Sequence, residues 1–136
     1  MRTLFTPLAL SMATVLALPA LAQTQEEVRF QAGDFGTNVG GSITGQGYQD
    51  YLLGANAGQE MFAEMTVTGS TGNGTAFFNI LPPGSDGVAI YNGSMDGNTT
   101  TVELPKSGEY TIRTYHMGND ADSGATTDYR LDLSIQ

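Results

Sequence analysis

The chain contains no cysteine, one histidine and only 5 lysines and arginines in 136 residues. Each shortage excludes something. Without cysteine there is no disulfide to staple the fold, so stability must come from a packed core and backbone pairing. Nor is there a cysteine to carry a lipid anchor. One histidine and no cysteine make a transition-metal site unfavourable. Five basic residues against 14 acidic ones give a net charge of −9, which disfavours nucleic acid and anionic membrane surfaces as partners. Aromatic residues are not interleaved with basic ones, so base stacking has no support. No Gly-Lys-Ser/Thr occurs, and with it no phosphate-cradling loop.

Long apolar stretches are absent except at the start. Arg2 opens the chain, Leu4 to Leu18 is largely apolar, and Ala20-Leu21-Ala22 offers a small-residue cleavage site before Gln23. The apolar run is short of the roughly 20 residues that span a bilayer. The pattern predicts a signal peptide over residues 1–22 and one mature domain over residues 23–136, exported and periplasmic, with no membrane anchor. Acidity of this degree keeps an exported protein soluble, and it also attracts and steers a basic protein partner.

What the sequence does have is glycine, 18 in all, and short apolar-alternating segments between Gly, Asn, Asp, Ser and Pro. Strands are predicted at Val28–Gln31, Asn38–Thr44, Tyr48–Ala55, Glu60–Thr68, Thr75–Leu81, Val88–Tyr91, Thr99–Leu104, Glu109–Met117 and Asp128–Ile135. In the last, Tyr129, Leu131, Leu133 and Ile135 share one face. No segment after the leader sustains a helical period. The expectation is an all-β domain, a single antiparallel β-sandwich of about eight short strands, each burying one face.

Catalytic chemistry is sparse. His116 is the sole histidine, and neither Ser107 nor Ser123 sits in a nucleophile elbow. The aspartates fall mostly in turns, where such residues serve backbone hydrogen bonding rather than paired acid–base work. Asp120, Asp122 and the nearby Asp128 form a weak calcium candidate. They lack the third ligand position and closing glutamate of a calcium loop. A solvated acidic hairpin tip is the simpler reading. Asn73, Asn92 and Asn98 begin N-x-Ser/Thr triplets, which arise readily by chance in such a composition.

The most specific stretch is Leu104-Pro105-Lys106-Ser107-Gly108-Glu109-Tyr110. Pro105 and Gly108 mark a turn, and a strand follows with Tyr110, Ile112, Thr114 and His116 on one face. Gly108 can take a positive φ, Ser107 can present a hydroxyl, and Tyr110 can pack inward and brace the turn. A tyrosine that pins a β-sandwich corner is an equally physical role.

With its surroundings this stretch resembles the periplasmic inhibitors of g-type (goose-type) lysozyme. The similar features are Val28-Arg29-Phe30 with Gly33, then Gly41-Ser42-Ile43-Thr44-Gly45 running into Tyr48 and Tyr51, and Ala55 with Gly58-Gln59. Further on they are Leu104-Pro105, Ser107-Gly108, Tyr110, Arg113 and Asn119-Asp120-Ala121. The resemblance implies a β-sandwich that plugs a lysozyme cleft, with no enzymatic activity and no cofactor. It points to Ser107, Gly108, Tyr110, Gln46, Tyr48 and Arg113 as partner-binding residues, in a monomer or weak homodimer. Three positions depart from the family pattern. Gln46 stands where a tyrosine is usual, and Gly118 and Asp122 stand where arginines flank the Asn-Asp-Ala segment. The alternative is a non-inhibitory exported module that binds a glycan, calcium or an envelope protein. The turns at Gln46, Ser107 and Gly118–Asp122 are expected at one end of the sandwich.

Overall fold

The computed structural model describes residues 23–136, so the expected leader at residues 1–22 lies outside the described residues. Among the described residues, nine strands run in chain order as β1 (Gln23–Glu27), β2 (Gly36–Thr44), β3 (Tyr48–Ala55), β4 (Glu60–Ser70), β5 (Ala76–Leu81), β6 (Tyr91–Asn92), β7 (Thr99–Glu103), β8 (Gly108–His116) and β9 (Thr126–Ile135). Two single-turn helices intervene, α1 (Gly93–Asp96) and α2 (Asn119–Ser123). The strands form two sheets, ordered β1-β3-β8-β5-β6 and β2-β9-β4-β7.

Alternation along each strand explains the sandwich. In β8, Tyr110, Ile112, Thr114 and His116 are buried while Thr111, Arg113 and Tyr115 face outward. In β9, Tyr129, Leu131, Leu133 and Ile135 turn inward to meet them. Met61, Ala63 and Met65 of β4, Phe78 and Ile80 of β5 and Tyr51 and Leu53 of β3 complete one continuous core. Apolar burial on this scale is what replaces disulfides.

Where polar groups enter the core they are paired. The Tyr51 and Tyr129 hydroxyls lie 2.7 Å apart, and Tyr129 also meets the Thr114 hydroxyl at 2.9 Å. Gly41 passes directly over these phenols. A Cβ there would lie 2.5 Å from both tyrosine oxygens, so only glycine fits.

The structure corrects the expected strand plan in three places. The first strand is Gln23–Glu27, not Val28–Gln31, and it pairs with β3 in parallel, Gln23 opposite Tyr48. A polar segment such as Gln-Thr-Gln-Glu-Glu carries no apolar alternation. It is a strand because it borrows the free edge of β3. The Val88–Tyr91 segment shrinks to the two-residue β6, since Asn92 caps α1 by accepting from the Ser94 amide. The two helices are too short to leave a periodic signature.

Candidate partner-binding site

The register of β3 against β8 decides which turns meet. Tyr48 lies opposite Tyr115, and Ala55 lies opposite Gly108. The Gln46 turn, which precedes Tyr48, is therefore beside the C-terminal end of β8. The Ser107 turn, which precedes Gly108, is at the other end. The expectation of one clustered end is overturned. Two antiparallel strands of eight or nine residues put the turn before one and the turn before the other about 25 Å apart.

The Ser107 end is built on Tyr110. Its side chain is fully buried. Its hydroxyl donates to the Lys106 carbonyl at 2.6 Å and accepts from the Lys106 amide at 3.1 Å. The phenol thus bonds back across the turn and holds it from below. From the neighbouring β3–β4 turn the Ala57 amide donates to the Ser107 hydroxyl at 2.8 Å. Gly108 has φ 142, and a Cβ there would lie 2.9 Å from the Pro83 ring. Conformation and closeness to Pro83 both require glycine. Pro105 through Glu109 are exposed, so a rigid turn stands out into solvent.

A cleft of about 580 Å³ opens beside this turn. Its wall includes Phe30, Asp34, Phe35, Gly54, Gln59 and Gly108. Residues 28–35 cross here from the edge of one sheet to the other. The Val28 amide donates to Leu52 and the Ile135 amide donates to the Phe35 carbonyl. Phe35 is nonetheless 69% exposed. The sequence pattern does not bring out this cleft. The one signal is a phenylalanine inside a polar, glycine-flanked connection, where a large apolar residue has no strand face to cover.

The opposite end carries the Gln46 turn and α2. The Gly45 amide donates to Ala125, and the Gly45 carbonyl accepts from His116 Nδ1 at 3.0 Å. His116 Nε2 lies 2.7 Å from the Thr127 hydroxyl. A carbonyl can only accept, so Nδ1 donates to it, and the Thr127 hydroxyl pairs with Nε2. Both ring nitrogens are committed to structure, with no serine nucleophile on either. Gln46 itself is exposed at the tip.

Asp120 is fully buried and anchors this end, which corrects its reading as part of a solvated hairpin tip. Its carboxylate accepts from the Asn73 and Thr75 amides, each at 2.9 Å, and from the Thr75 hydroxyl at 2.7 Å. Hydrogen bonds from the Asn73 and Thr75 amides, then from the Thr75 hydroxyl, hold its pKa down at about 2. Asp122 points to solvent. Asp128 lies on the outer face of β9, accepting from the Ser42 hydroxyl. Of the three candidate calcium ligands, Asp120 and Asp128 are thus engaged in separate hydrogen bonds and Asp122 is exposed. Among the described residues no group of three or more His, Asp or Glu side chains is gathered for a metal ion.

Tyr48 and Arg113 meet on the outer face of the first sheet. Arg113 forks onto Asp50, with Nε to Oδ1 at 2.8 Å and the second nitrogen to Oδ2 at 2.9 Å. The guanidinium stacks over the Tyr48 ring, 4.2 Å from its centroid. Asp50 is only 3% exposed, so the cation neutralises a buried carboxylate.

No protein-family model matches the chain, and no curated protein sequence matches it significantly. Solved structures do. The crystal structure of Aeromonas hydrophila PliG, a periplasmic lysozyme inhibitor of g-type lysozyme, is 32% identical, with 84% of this chain and 97% of that one covered and a TM-score of 0.74. A PliG mutant from Escherichia coli is 27% identical over 85% of this chain and 100% of its own, with a TM-score of 0.66. Salmonella Typhimurium PliG is 27% identical over 83% and 98%, also at 0.66. Each of these is an inhibitor rather than an enzyme.

Proposed function

The chain belongs to the family of periplasmic inhibitors of g-type lysozyme, and from that premise we propose that it inhibits a g-type lysozyme by pressing its Ser107–Tyr110 turn into the active-site cleft. The observation that carries the reading is the bracing of that turn. Tyr110 fixes it from within, Ala57 holds Ser107 from the side, and Gly108 lets it approach Pro83. A pre-organised protruding turn loses little conformational freedom on docking. Tyr110 acts through the shape of the turn, since its buried ring is out of reach. The Ser107 hydroxyl keeps its own proton free for a carboxyl group in the cleft. Gln46, Tyr48 and Arg113 lie away from this contact; Tyr48 and Arg113 hold the scaffold through Asp50, and Gln46 stands exposed at the far tip.

The leader is removed on export, and residues 23–136 act in the periplasm. There a cell-wall lytic enzyme entering from outside would meet the inhibitor. With Arg2 lost in the leader, 14 acidic residues stand against 4 basic ones, and the net charge of −10 draws a basic enzyme towards it.

The test is residual lytic activity of a g-type lysozyme titrated with the exported protein, alongside chicken-type and invertebrate-type enzymes. Selective inhibition of the g-type enzyme is expected. Ser107→Trp should abolish it, while Gln46→Trp at the far end should leave it unchanged. The opposite pattern would move the contact to the Gln46 end. No inhibition of any type would transfer the reading to a non-inhibitory binding module.

A further inference from the structure

The solvated face of an antiparallel sheet ordinarily carries polar side chains. The outer face of the first sheet carries three aromatic ones in a row. The register sets Tyr48 of β3 opposite Tyr115 of β8, and Tyr115 opposite Phe77 of β5. All three are half-buried, with one side left to solvent. Neighbouring strands lie about 4.8 Å apart, so the row runs across the strands in even steps.

The rings lie low on the sheet. The Tyr115 hydroxyl donates to Asn79 Oδ1 at 2.7 Å. Asn79 is on the next strand, opposite Arg113, so the phenol reclines across β5 instead of standing out into solvent. The Phe77 ring packs beside it, with centroids 6.4 Å apart and planes tilted by 43°. On the other side the planar guanidinium of Arg113 lies over the Tyr48 ring. The surface is a plateau of rings and one flat cation.

Polar capacity is left over along this plateau. Asn79 uses its oxygen, and Arg113 uses Nε and one terminal nitrogen on Asp50. Among the described residues, the Asn79 amide nitrogen, the other terminal nitrogen of Arg113 and the Tyr48 hydroxyl make no hydrogen bond. Charge is cancelled here, since Arg113 faces Asp50. In so acidic a protein, a neutral face suits an uncharged ligand. Rings beside free amide, guanidinium and hydroxyl groups match a ligand with an apolar face and a polar rim. A pyranose sugar is built that way, with axial hydrogens on its face and equatorial hydroxyls around its edge.

We propose that the outer face of the first sheet binds a neutral, extended oligosaccharide of β-linked pyranose rings. Tyr115 and Phe77 take the sugar faces, while Asn79, Arg113 and Tyr48 hydrogen-bond the hydroxyls. An extended chain laid across the strands meets these groups one after another. The site is separate from the Ser107 turn and stands independently of the inhibitor reading.

The experiment is an NMR titration of the exported protein with two such chains, N-acetylchitotetraose and cellotetraose. Saturable shifts at Phe77, Asn79, Arg113 and Tyr115 with at least one of them are expected. Phe77→Ala should weaken that binding about tenfold, and Tyr115→Phe, which keeps the ring, should stay within about twofold of the parent. Phe62→Ala, on the outer face of the other sheet, is the control and should bind like the parent. Parent-like dispersion of the amide spectrum checks that each variant is folded. The parent titration decides without any variant. No saturable shift with either sugar overturns the proposal, and so do shifts confined to the Ser107 turn or to the second sheet. Parent-like affinity in Phe77→Ala overturns it as well.

Discussion

At the scale of single residues, Tyr110 and Asp120 carry the greatest structural consequence. Each is buried and each spends its polar atoms on the backbone of a turn. Tyr110→Phe keeps the ring in the core and removes two hydrogen bonds to Lys106. It is expected to cost about 1 kcal/mol in denaturant unfolding. If the Ser107 turn enters the lysozyme, inhibition should fall by more than stability does, because the turn loosens. Equal inhibition by the variant would show that turn rigidity is not used. Asp120 predicts a pH dependence with a definite sign. Its folded pKa of about 2 lies below the ordinary 3.8, so the folded state holds its proton less tightly than the unfolded state does. Its stabilisation is complete above pH 3.8 and disappears as pH falls from there towards 2. In Asp120→Asn, the amide NH2 faces donors where oxygen stood. That variant should be less stable at neutral pH and show a flatter acid limb, which thermal unfolding across pH 2 to 5 would check.

At the scale of elements, antiparallel register governs what can act together. β3 and β8 run side by side, and their two preceding turns necessarily separate. Midway along the same pair, Arg113 and Asp50 form a directly opposed cross-strand couple. The salt bridge is partly open to solvent on the arginine side and closed on the aspartate side, with side chains 29% and 5% exposed. Removing the cation strands the buried carboxylate. Arg113→Met is expected to destabilise by about 2–3 kcal/mol, and the paired change Asp50→Asn with Arg113→Met by much less. A double-mutant cycle in urea measures the difference. Additive losses would mean that the pair is not coupled.

At the scale of the whole molecule, charge is the dominant property. Along the Ser107 end lie Asp34, Glu60, Glu103 and Glu109, with Lys106 on the turn. Association with a basic lysozyme should be fast at low salt and slow as salt rises, since screening acts over about 10 Å at 0.1 M. The dissociation rate should change little if the turn is shape-matched. Stopped-flow measurement between 20 mM and 300 mM salt separates the two. Inhibition that vanishes at physiological salt would indicate charge attraction without a fitted plug.

The sequence by itself determined the fold class, because period-two alternation with turn residues at short intervals has one packing solution, two sheets sharing a core. It also marked the Ser-Gly-x-Tyr turn, since proline, glycine and an inward tyrosine are local requirements of that turn. It did not mark β1, whose polar residues become a strand only where an existing edge supplies partners. Nor did it show that Asp120 is buried, since a turn aspartate reads as solvated until residues 73–75 fold over it. The tertiary structure alone decided that Gln46 and Ser107 stand at opposite ends. It alone brought Phe30, Asp34 and Phe35 beside Gly108. Spacing along a chain fixes which face a residue occupies, but pairing between distant strands fixes which end it reaches, and a binding surface is assembled from ends.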